Sequence, residues 1–102
     1  MADPDVFIAL ADPTRRQLIE WLSSEGSGTA TSFAERLPMS RQAVARHLKE
    51  LEAAGVVSGT KQGRETRFTL RTESFDEASD WLAQRTAAWD RTLGRLRDSL
   101  GE

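Results

Sequence analysis

The chain contains no cysteine and only one histidine, His47, among its 102 residues. The missing thiols exclude disulfide bonds, thiolate metal sites and cysteine nucleophiles. One histidine is a poor basis for a metal site, because the remaining ligands would have to be carboxylates. This composition fits a reducing compartment, so we expect a cytoplasmic protein with no metal and no other cofactor.

Long apolar runs and targeting segments are missing as well. The longest unbroken apolar stretch is a few residues, against the roughly 18 that a membrane span requires, so we expect no membrane partner. The acidic segment 1–5 lacks the features of a secretory signal. The length predicts a single small domain over residues 1–102. Because such a domain buries only about two-thirds of its unfolded surface, association with a second copy would add core.

The net charge of −2 hides a basic centre. Residues 36–71 contain eight basic and three acidic side chains, a net charge of about +5. Acidic segments flank this region on both sides. A basic centre is typical of nucleic-acid binding, although ordinary scatter of surface charge remains an alternative at this point.

Two helices are predicted before the basic centre. Asp3-Pro4 and Asp12-Pro13 each place a capping residue before a proline, which suits the first helical position. We predict helices over residues 4–10 and 13–23. A loop over residues 24–28 follows, because it is rich in serine and glycine.

A helix-turn-helix is predicted over residues 31–54. Thr31 is a candidate N-cap for a short helix over residues 32–37, and Pro38-Met39 ends it. Ser40 then caps a second helix that runs to Ala54, with Gly55 as its stop. Two short helices joined by a tight turn are the unit that many proteins use to read DNA.

The second helix of this unit has the residue types that major-groove recognition requires. Val44, Leu48 and Leu51 form a buried stripe, so the opposite face is Arg41, Gln42, Ala45, Arg46 and Lys49. Glutamine pairs with adenine, arginine with guanine, and a small alanine approaches a thymine methyl closely. Ser40 and the helix N-terminus offer donors to a phosphate. The alternative is a plain amphipathic helix with a solvated basic face.

A basic hairpin follows and favours the DNA-binding interpretation. Strands are predicted over residues 56–60 and 66–70, joined by a turn at 62–64. Lys61, Arg64 and Arg67 cluster around this turn, so we interpret residues 56–71 as a wing that lies along the DNA backbone or enters the minor groove. The predicted fold class is therefore mainly α with a small β-hairpin, a winged helix-turn-helix.

The last predicted helix spans residues 74–100 and opens on an expected capping box, Ser74 with Glu77. Phe75 and Leu82 are expected to pack on the domain, whereas the apolar side chains further along lie beyond its reach. We expect them to meet the first helix and the last helix of a second copy. The candidate dimer-interface residues are Val6, Phe7, Leu10, Trp89, Leu93 and Leu96.

Taken together, these segments resemble the ArsR-type winged helix-turn-helix regulators. The matching stretches are residues 10–16, 33–37, 40–48, 51–57 and 63–68, and the resemblance covers roughly residues 5–98. It implies a homodimer, with dimerising first and last helices, that binds double-stranded DNA at an operator near its own or neighbouring genes, usually as a repressor. The operator is expected to be an imperfect palindrome.

The chain departs from the family pattern where members sense metals. Metal-sensing members place cysteines in the first helix of the helix-turn-helix, and residues 29–33 contain none. Others use aspartate and histidine along the last helix, which here has no histidine. The sequence thus resembles the metal-independent members with a tryptophan-bearing final helix. Many members also have serine where Ala45 stands, so one direct DNA hydrogen bond is missing here.

Several alternatives stay open from the sequence. His47 fits a structural role, a phosphate contact or a base contact, and Trp81 and Trp89 fit an interface, a core or a small-molecule pocket. Trp21 is expected to be structural. The chain would then be a DNA-binding repressor, a winged-helix protein-interaction module, or a sensor with its effector, unidentified, between the first and last helices. No catalytic arrangement is recognisable, so we do not expect an enzyme.

Overall fold

A computed structural model describes residues 4–100. Five helices and three strands follow one another: α1 (Pro4–Ala9), α2 (Pro13–Glu25), β1 (Gly28–Thr29), α3 (Ala30–Ala34), α4 (Arg41–Ala53), β2 (Val57–Gln62), β3 (Glu65–Leu70) and α5 (Thr72–Ser99). This confirms a mainly α fold with a small sheet. The predicted cap at Asp3 lies outside the described residues. No helix among residues 4–100 is long and apolar enough to span a bilayer.

Side chains cap the helices that form the helix-turn-helix and its support. Asp12 accepts hydrogen bonds from the amides of Thr14 and Arg15 at the start of α2, at 2.8 and 3.1 Å. Ser40 Oγ accepts from the amide of Ala43 at 3.1 Å, as predicted for α4. Each cap satisfies amides that the first helical turn leaves without a partner.

The start of α3 differs from the prediction. The cap is Thr29 rather than Thr31, and the helix covers residues 30–34 rather than 32–37. Thr29 Oγ1 accepts from the amide of Ser32, and Ser32 Oγ accepts from the amide of Thr29, both at 3.1 Å. This reciprocal pair satisfies two amides at once, an arrangement that Thr31 does not make.

The sheet has one strand more than the hairpin that the sequence predicts. Its order is β1-β3-β2, and both pairings are antiparallel. Gly28, predicted to be a loop residue, and Thr29 pair with Phe68 and Arg67 of β3. β3 is therefore the central strand, and β2 has one edge without a strand partner.

The predicted capping box of the last helix is wrong. α5 begins at Thr72, two residues earlier than expected, and its N-cap Arg71 makes no side-chain capping bond. Ser74 lies inside the first turn, where its hydroxyl donates to the carbonyl oxygen of Gly55 instead. The serine thus ties the start of α5 to the end of α4.

The core lies between the helices and the inner face of the sheet. Its buried side chains come from every major element: Val6, Ala9, Leu18, Leu22, Phe33, Val44, Leu48, Leu51, Val56, Val57, Phe68 and Ala78. Trp21 stacks on Phe33 with ring centroids 5.7 Å apart and planes 18° apart. The Arg36 guanidinium lies over the Trp21 ring, 4.0 Å from its centroid, and pairs with Glu25. Trp21 is therefore structural, as predicted.

The helix α5 extends far beyond this core. It has 28 residues, which corresponds to about 42 Å of helix. The radius of gyration is 18.2 Å, against the roughly 13 Å of a compact domain of this size. Phe75 packs against the core as expected, but Leu82 is 50% exposed, so the packing predicted for Leu82 is wrong. The protomer lacks enough surface to cover the far half of its longest helix.

Candidate nucleic-acid interface

The outer face of α4 carries the predicted base-reading side chains in exposed positions. Val44, Leu48 and Leu51 are fully buried and hold the helix on the core. The opposite side then projects from the domain, with Ala45 partly buried at its centre. Its exposed polar members are Arg41, Gln42, Arg46 and Lys49. Since residues i, i+3 and i+4 share a helix face, these side chains form one surface.

Gly63 and Arg64 form the turn of the wing. Gly63 has φ of +62°, which suits a two-residue hairpin turn between Gln62 and Glu65. Arg64 lies at the tip and is exposed. With Arg41 and Lys49 of α4 it lines a cleft of about 120 Å³ between wing and helix. Three cations and one carboxylate, that of Glu65, therefore line one groove, and its net charge is positive.

The strand register decides which wing cations share a side with α4. Lys61 lies opposite Thr66, and Thr66 belongs to the same strand face as the buried Phe68. Directly opposite residues project to the same face of a sheet. Lys61 consequently lies on the side of α4.

Arg67 lies on the other face of the sheet, because successive residues of a strand alternate. Its Nη1 donates to Ser27 Oγ at 3.0 Å and its Nε to Gln62 Oε1 at 3.3 Å. The structure therefore separates Arg67 from the cations around the cleft. The sequence clustered it with Lys61 and Arg64 because all three lie near Gly63, but the strand places alternate residues on opposite faces.

His47 is also placed apart from the exposed face of α4. It lies three residues after Val44 and four before Leu51, on the buried flank of the helix, and is partly buried. Its neighbour is the start of α2. There the pKa of Asp12 is lowered mainly by the hydrogen bond from the amide of Arg15, with a smaller contribution from the charge of His47. This position fits a structural role better than a base contact.

Two of the three carboxylates in the basic region are engaged inside the protein. Glu50 Oε2 pairs with Arg15 Nη1 at 3.0 Å, which joins α4 to α2. Glu52 Oε2 accepts a hydrogen bond from the amide of Gly59 at 3.0 Å, which joins α4 to the wing. Neither partner is visible in the sequence, because both contacts depend on how the elements pack. Their charges are thereby directed toward protein groups.

Comparisons with known proteins fit this geometry. A model of a helix-turn-helix domain family matches residues 10–60, which is half of the chain. The transcriptional repressor SdpR of Bacillus subtilis is 32% identical over 78 residues, covering 76% of this chain and 86% of SdpR. An ArsR-like transcriptional regulator from Rhodococcus sp. RHA1 superposes with a TM-score of 0.83 at 38% identity, covering 93% of this chain and 86% of that one.

The chain belongs to the ArsR family. The winged helix-turn-helix fold predicted from the sequence is confirmed by these matches. The ArsR-family protein is thus a DNA-binding transcriptional regulator, a class without enzymatic activity. Its α3 and α4 form the helix-turn-helix, and β2 and β3 form the wing.

Some of the matched proteins have names that refer to metals or metalloids. The regulator CmtR of Mycobacterium tuberculosis is 34% identical over 82 residues, covering 80% of this chain and 69% of CmtR. Its solution structure, described as a cadmium metal sensor, superposes with a TM-score of 0.55. This ArsR-family chain has no cysteine. Within residues 4–100 no group of three or more histidine, aspartate or glutamate side chains is placed to hold a metal ion. The chain therefore lacks the thiolate ligands that soft metal ions prefer.

The candidate dimer residues fall into two groups. Val6 is only 3% exposed and packs into the protein's own core, and Phe7 and Leu10 are partly buried beside it. Trp89, Leu93 and Leu96 are 63%, 40% and 55% exposed on α5. Ile8, which the sequence did not single out, is 63% exposed on α1. The exposed large apolar side chains therefore lie at Ile8 on α1 and, separately, along the far half of α5.

Proposed function

We propose that this ArsR-family protein is a homodimeric repressor that binds an imperfect palindromic operator and does not sense metal ions. The observation that carries the proposal is the basic groove shared by α4 and the wing. Arg41 and Lys49 of α4 and Arg64 of the wing tip line it together. A groove-reading helix beside a cationic hairpin matches what a DNA duplex offers, a major groove flanked by phosphates.

Each exposed side chain of α4 is assigned a task on the DNA. Gln42 is suited to a bidentate pair with adenine, and Arg41 and Arg46 to guanine. Ala45 leaves room for a thymine methyl, and Lys49 reaches a phosphate. Ser40 already accepts the capping bond from Ala43, so its hydroxyl hydrogen remains for a phosphate oxygen.

The dimer is supported by the apolar surface that the protomer leaves exposed. Six large apolar side chains are exposed by 40% or more: Ile8 of α1, Leu82, Trp89, Leu93 and Leu96 of α5, and Leu100 directly after α5. A two-fold pairing would bury this surface against itself. It would also place two α4 helices about 34 Å apart, in successive major grooves.

Repression and metal independence rest on separate grounds. Repression is supported by the name of the B. subtilis relative, a transcriptional repressor. Metal independence is supported by the absence of cysteine and by the position of the single histidine, His47, on the buried flank of α4. The absence of an effector between α1 and α5 is supported by the packing of Phe7 against Trp81, whose ring centroids are 5.5 Å apart.

A mobility-shift titration against the DNA upstream of the protein's own gene tests the proposal. A discrete complex is expected, competed by the same unlabelled duplex far better than by a scrambled one of equal length. Binding is expected to weaken steeply as salt rises, because several phosphates are neutralised. Equal competition by the scrambled duplex would refute sequence-specific recognition. Unchanged binding in the presence of a chelator or of added zinc, cadmium or nickel is expected, and release by any of these ions would refute metal independence.

A further inference from the structure

The contact between Glu52 and Gly59 joins the DNA-reading helix to the wing. Glu52 lies in the last turn of α4, and its Oε2 accepts a hydrogen bond from the amide of Gly59 on β2 at 3.0 Å. Both residues are in the basic central region, but neither is among the residues proposed to touch DNA. A carboxylate in this region repels the DNA phosphates, so we expect Glu52 to have a role other than DNA contact.

The strand register shows that the Gly59 amide has no partner within the sheet. Arg71 N donates to Val56 O at 2.8 Å, so the pair 56–71 is hydrogen-bonded. Hydrogen-bonded and non-hydrogen-bonded pairs alternate along an antiparallel ladder. The pair of Gly59 and Phe68 is then non-hydrogen-bonded, and the Gly59 amide points away from β3 at the free edge of the sheet. Glu52 supplies the acceptor that this edge lacks.

The missing side chain of Gly59 allows the helix and the strand to approach this closely. A Cβ at this position would lie 3.0 Å from Glu52 Oε2, 2.8 Å from Thr66 Cγ2 and 3.0 Å from the ring of Phe68. A larger residue here would force the Glu52 carboxylate and the side chains of Thr66 and Phe68 to move, and would thereby disturb the hydrogen bond to Glu52. We call this contact between Glu52 of α4 and Gly59 of β2 the joint.

The joint lies at the base of the wing. Gly63 at the turn lies four positions after Gly59, which corresponds to about 13 Å of strand. A rotation of about 10° at the joint would therefore displace the tip by about 2 Å. Such a displacement is enough to remove a direct contact between Arg64 and a phosphate, because these hydrogen bonds tolerate only a few tenths of an ångström.

We infer that Glu52 is a positioning residue that fixes the wing relative to α4, so that Arg64 reaches the DNA backbone while α4 occupies the major groove. The inference rests on the proposed DNA contacts of α4 and the wing. Glu52 itself touches no DNA. Glu52 raises the affinity for DNA because it holds the wing in position. This effect is lost when the hydrogen bond to Gly59 is lost.

A double-mutant cycle between Glu52 and Arg64 tests the inference. The probe is the duplex that the wild-type protein enriches most from a randomised library, and affinity is measured by fluorescence anisotropy. Glu52→Ala is expected to weaken binding about tenfold, because a hydrogen bond to a charged group is lost. Glu52→Gln is expected to stay within about twofold of the wild type, since its amide oxygen accepts the same bond. Arg64→Ala is expected to weaken the wild type several-fold but to add little in the Glu52→Ala background.

Glu65→Ala is the matched control. It removes a carboxylate that lines the groove between α4 and the wing, and the Glu65 side chain makes no hydrogen bond or ion pair within residues 4–100. Tighter binding is expected for this control, because a negative charge beside the DNA phosphates is removed. Tighter binding by Glu52→Ala, or full additivity of Glu52→Ala and Arg64→Ala, would overturn the inference.

A measurement on the free protein separates this inference from the proposed function. Hydrogen exchange of the Gly59 amide is expected to be at least about tenfold faster in Glu52→Ala than in the wild type and in Glu52→Gln. Thermal unfolding shows whether each variant is folded. If the wild type binds no duplex, the proposed function fails whatever the exchange rates are. If the Gly59 amide exchanges equally fast in all three proteins, the positioning role fails even where the DNA is bound.

Discussion

The ring of Phe7 on α1 packs against the ring of Trp81 on α5, with centroids 5.5 Å apart and planes tilted by 57°. Arg85 covers the same tryptophan at 4.3 Å. This contact holds the first part of α5 on the domain. Eight residues later, Trp89 is 63% exposed. The two tryptophans of this helix therefore differ in role: Trp81 joins α1 to α5 within one protomer, and Trp89 is available to a partner.

Disrupting the exposed surface of α5 is expected to produce a monomer. In the double variant Leu93→Glu and Leu96→Glu, two carboxylates replace apolar side chains that we propose are buried between protomers. Burying them without partners would cost several kcal/mol, which exceeds what the remaining contacts supply. Sedimentation velocity at micromolar concentration is expected to show a dimer for the wild type and a monomer for the variant.

Arg91→Glu is the control for this experiment, because Arg91 lies on the opposite face of the same helix and is exposed. It adds a carboxylate to α5 without touching the apolar stripe, and a dimer is expected. A wild type that sediments as a monomer would rule out the dimer outright.

Gly28→Ala is expected to destabilise the protein. A Cβ at residue 28 would lie 2.2 Å from Phe33 Cζ, inside the ring that stacks on Trp21. Because Phe33 is buried and held by this stack, relief requires movement of the core, with an expected loss of about 3 kcal/mol. Gly94→Ala is the paired substitution, since nothing lies within 4 Å of a Cβ there and α5 is a regular helix. It is expected to raise the free energy of unfolding by up to about 1 kcal/mol, and urea denaturation compares the two.

The free energy of unfolding is expected to decrease at acidic pH, because Asp12 becomes protonated. The amide of Arg15, and to a smaller extent that of Thr14, lower the pKa of Asp12 below its ordinary value of 3.8, against an opposing effect of burial. A carboxyl with a lowered pKa in the folded state stabilises the fold above its unfolded pKa, and this contribution disappears as pH falls through the folded pKa. The stabilisation is thus complete at neutral pH and is lost below about pH 4.

Two variants separate the cap of Asp12 from its charge. Asp12→Asn keeps a capping oxygen, so its unfolding free energy should show a weaker dependence on pH between neutrality and pH 3 than the wild type does. Asp12→Ala removes the cap as well and should cost about 1 kcal/mol at neutral pH. Parallel pH profiles for wild type and Asp12→Asn would contradict the assignment.

Substitutions in α4 and in the wing should change DNA binding in different ways. Gln42→Ala removes a proposed base contact and should relax the preference at one base pair, by about 1–3 kcal/mol. Arg64→Ala removes a phosphate contact, so it should weaken all sequences alike and reduce the salt slope by about 1. Anisotropy titrations on the preferred duplex and on single-base variants, at several salt concentrations, distinguish the two. An equal loss of affinity on every duplex for both variants would refute the different roles proposed for Gln42 and Arg64.

Much of the helical part of the fold could be predicted because its signals are local. Asp12 and Ser40 begin helices where their sequence positions predict it, since a capping side chain bonds amides two or three residues away. The buried stripe of α4 follows from spacing alone, and the wing turn from Gly63. These features fix where the proposed base-reading face lies.

The features that the sequence did not reveal depend on contacts between distant segments. Gly28 and Thr29 form a strand because they pair with the second edge of β3. A segment of two residues, one of them glycine, has too little strand propensity to be predicted from the sequence. Ser74 resembles a cap but bonds Gly55, nineteen residues earlier. Arg67 resembles a wing cation but bonds Ser27, and the partner of Glu52 is a backbone amide. In each case the sequence shows a side chain that can form a hydrogen bond, but it does not show the group to which that side chain bonds.

Selection of DNA from a fully randomised duplex library by the purified wild-type protein tests the central claim most directly. The account predicts enrichment of an imperfect palindrome whose half-site centres are separated by about 10 base pairs, one turn of the duplex. It also predicts that this duplex binds at least about a thousandfold more tightly than the starting library at the same salt concentration. Failure to enrich any sequence, or enrichment of a single site without two-fold symmetry, would contradict recognition by two α4 helices of a dimer.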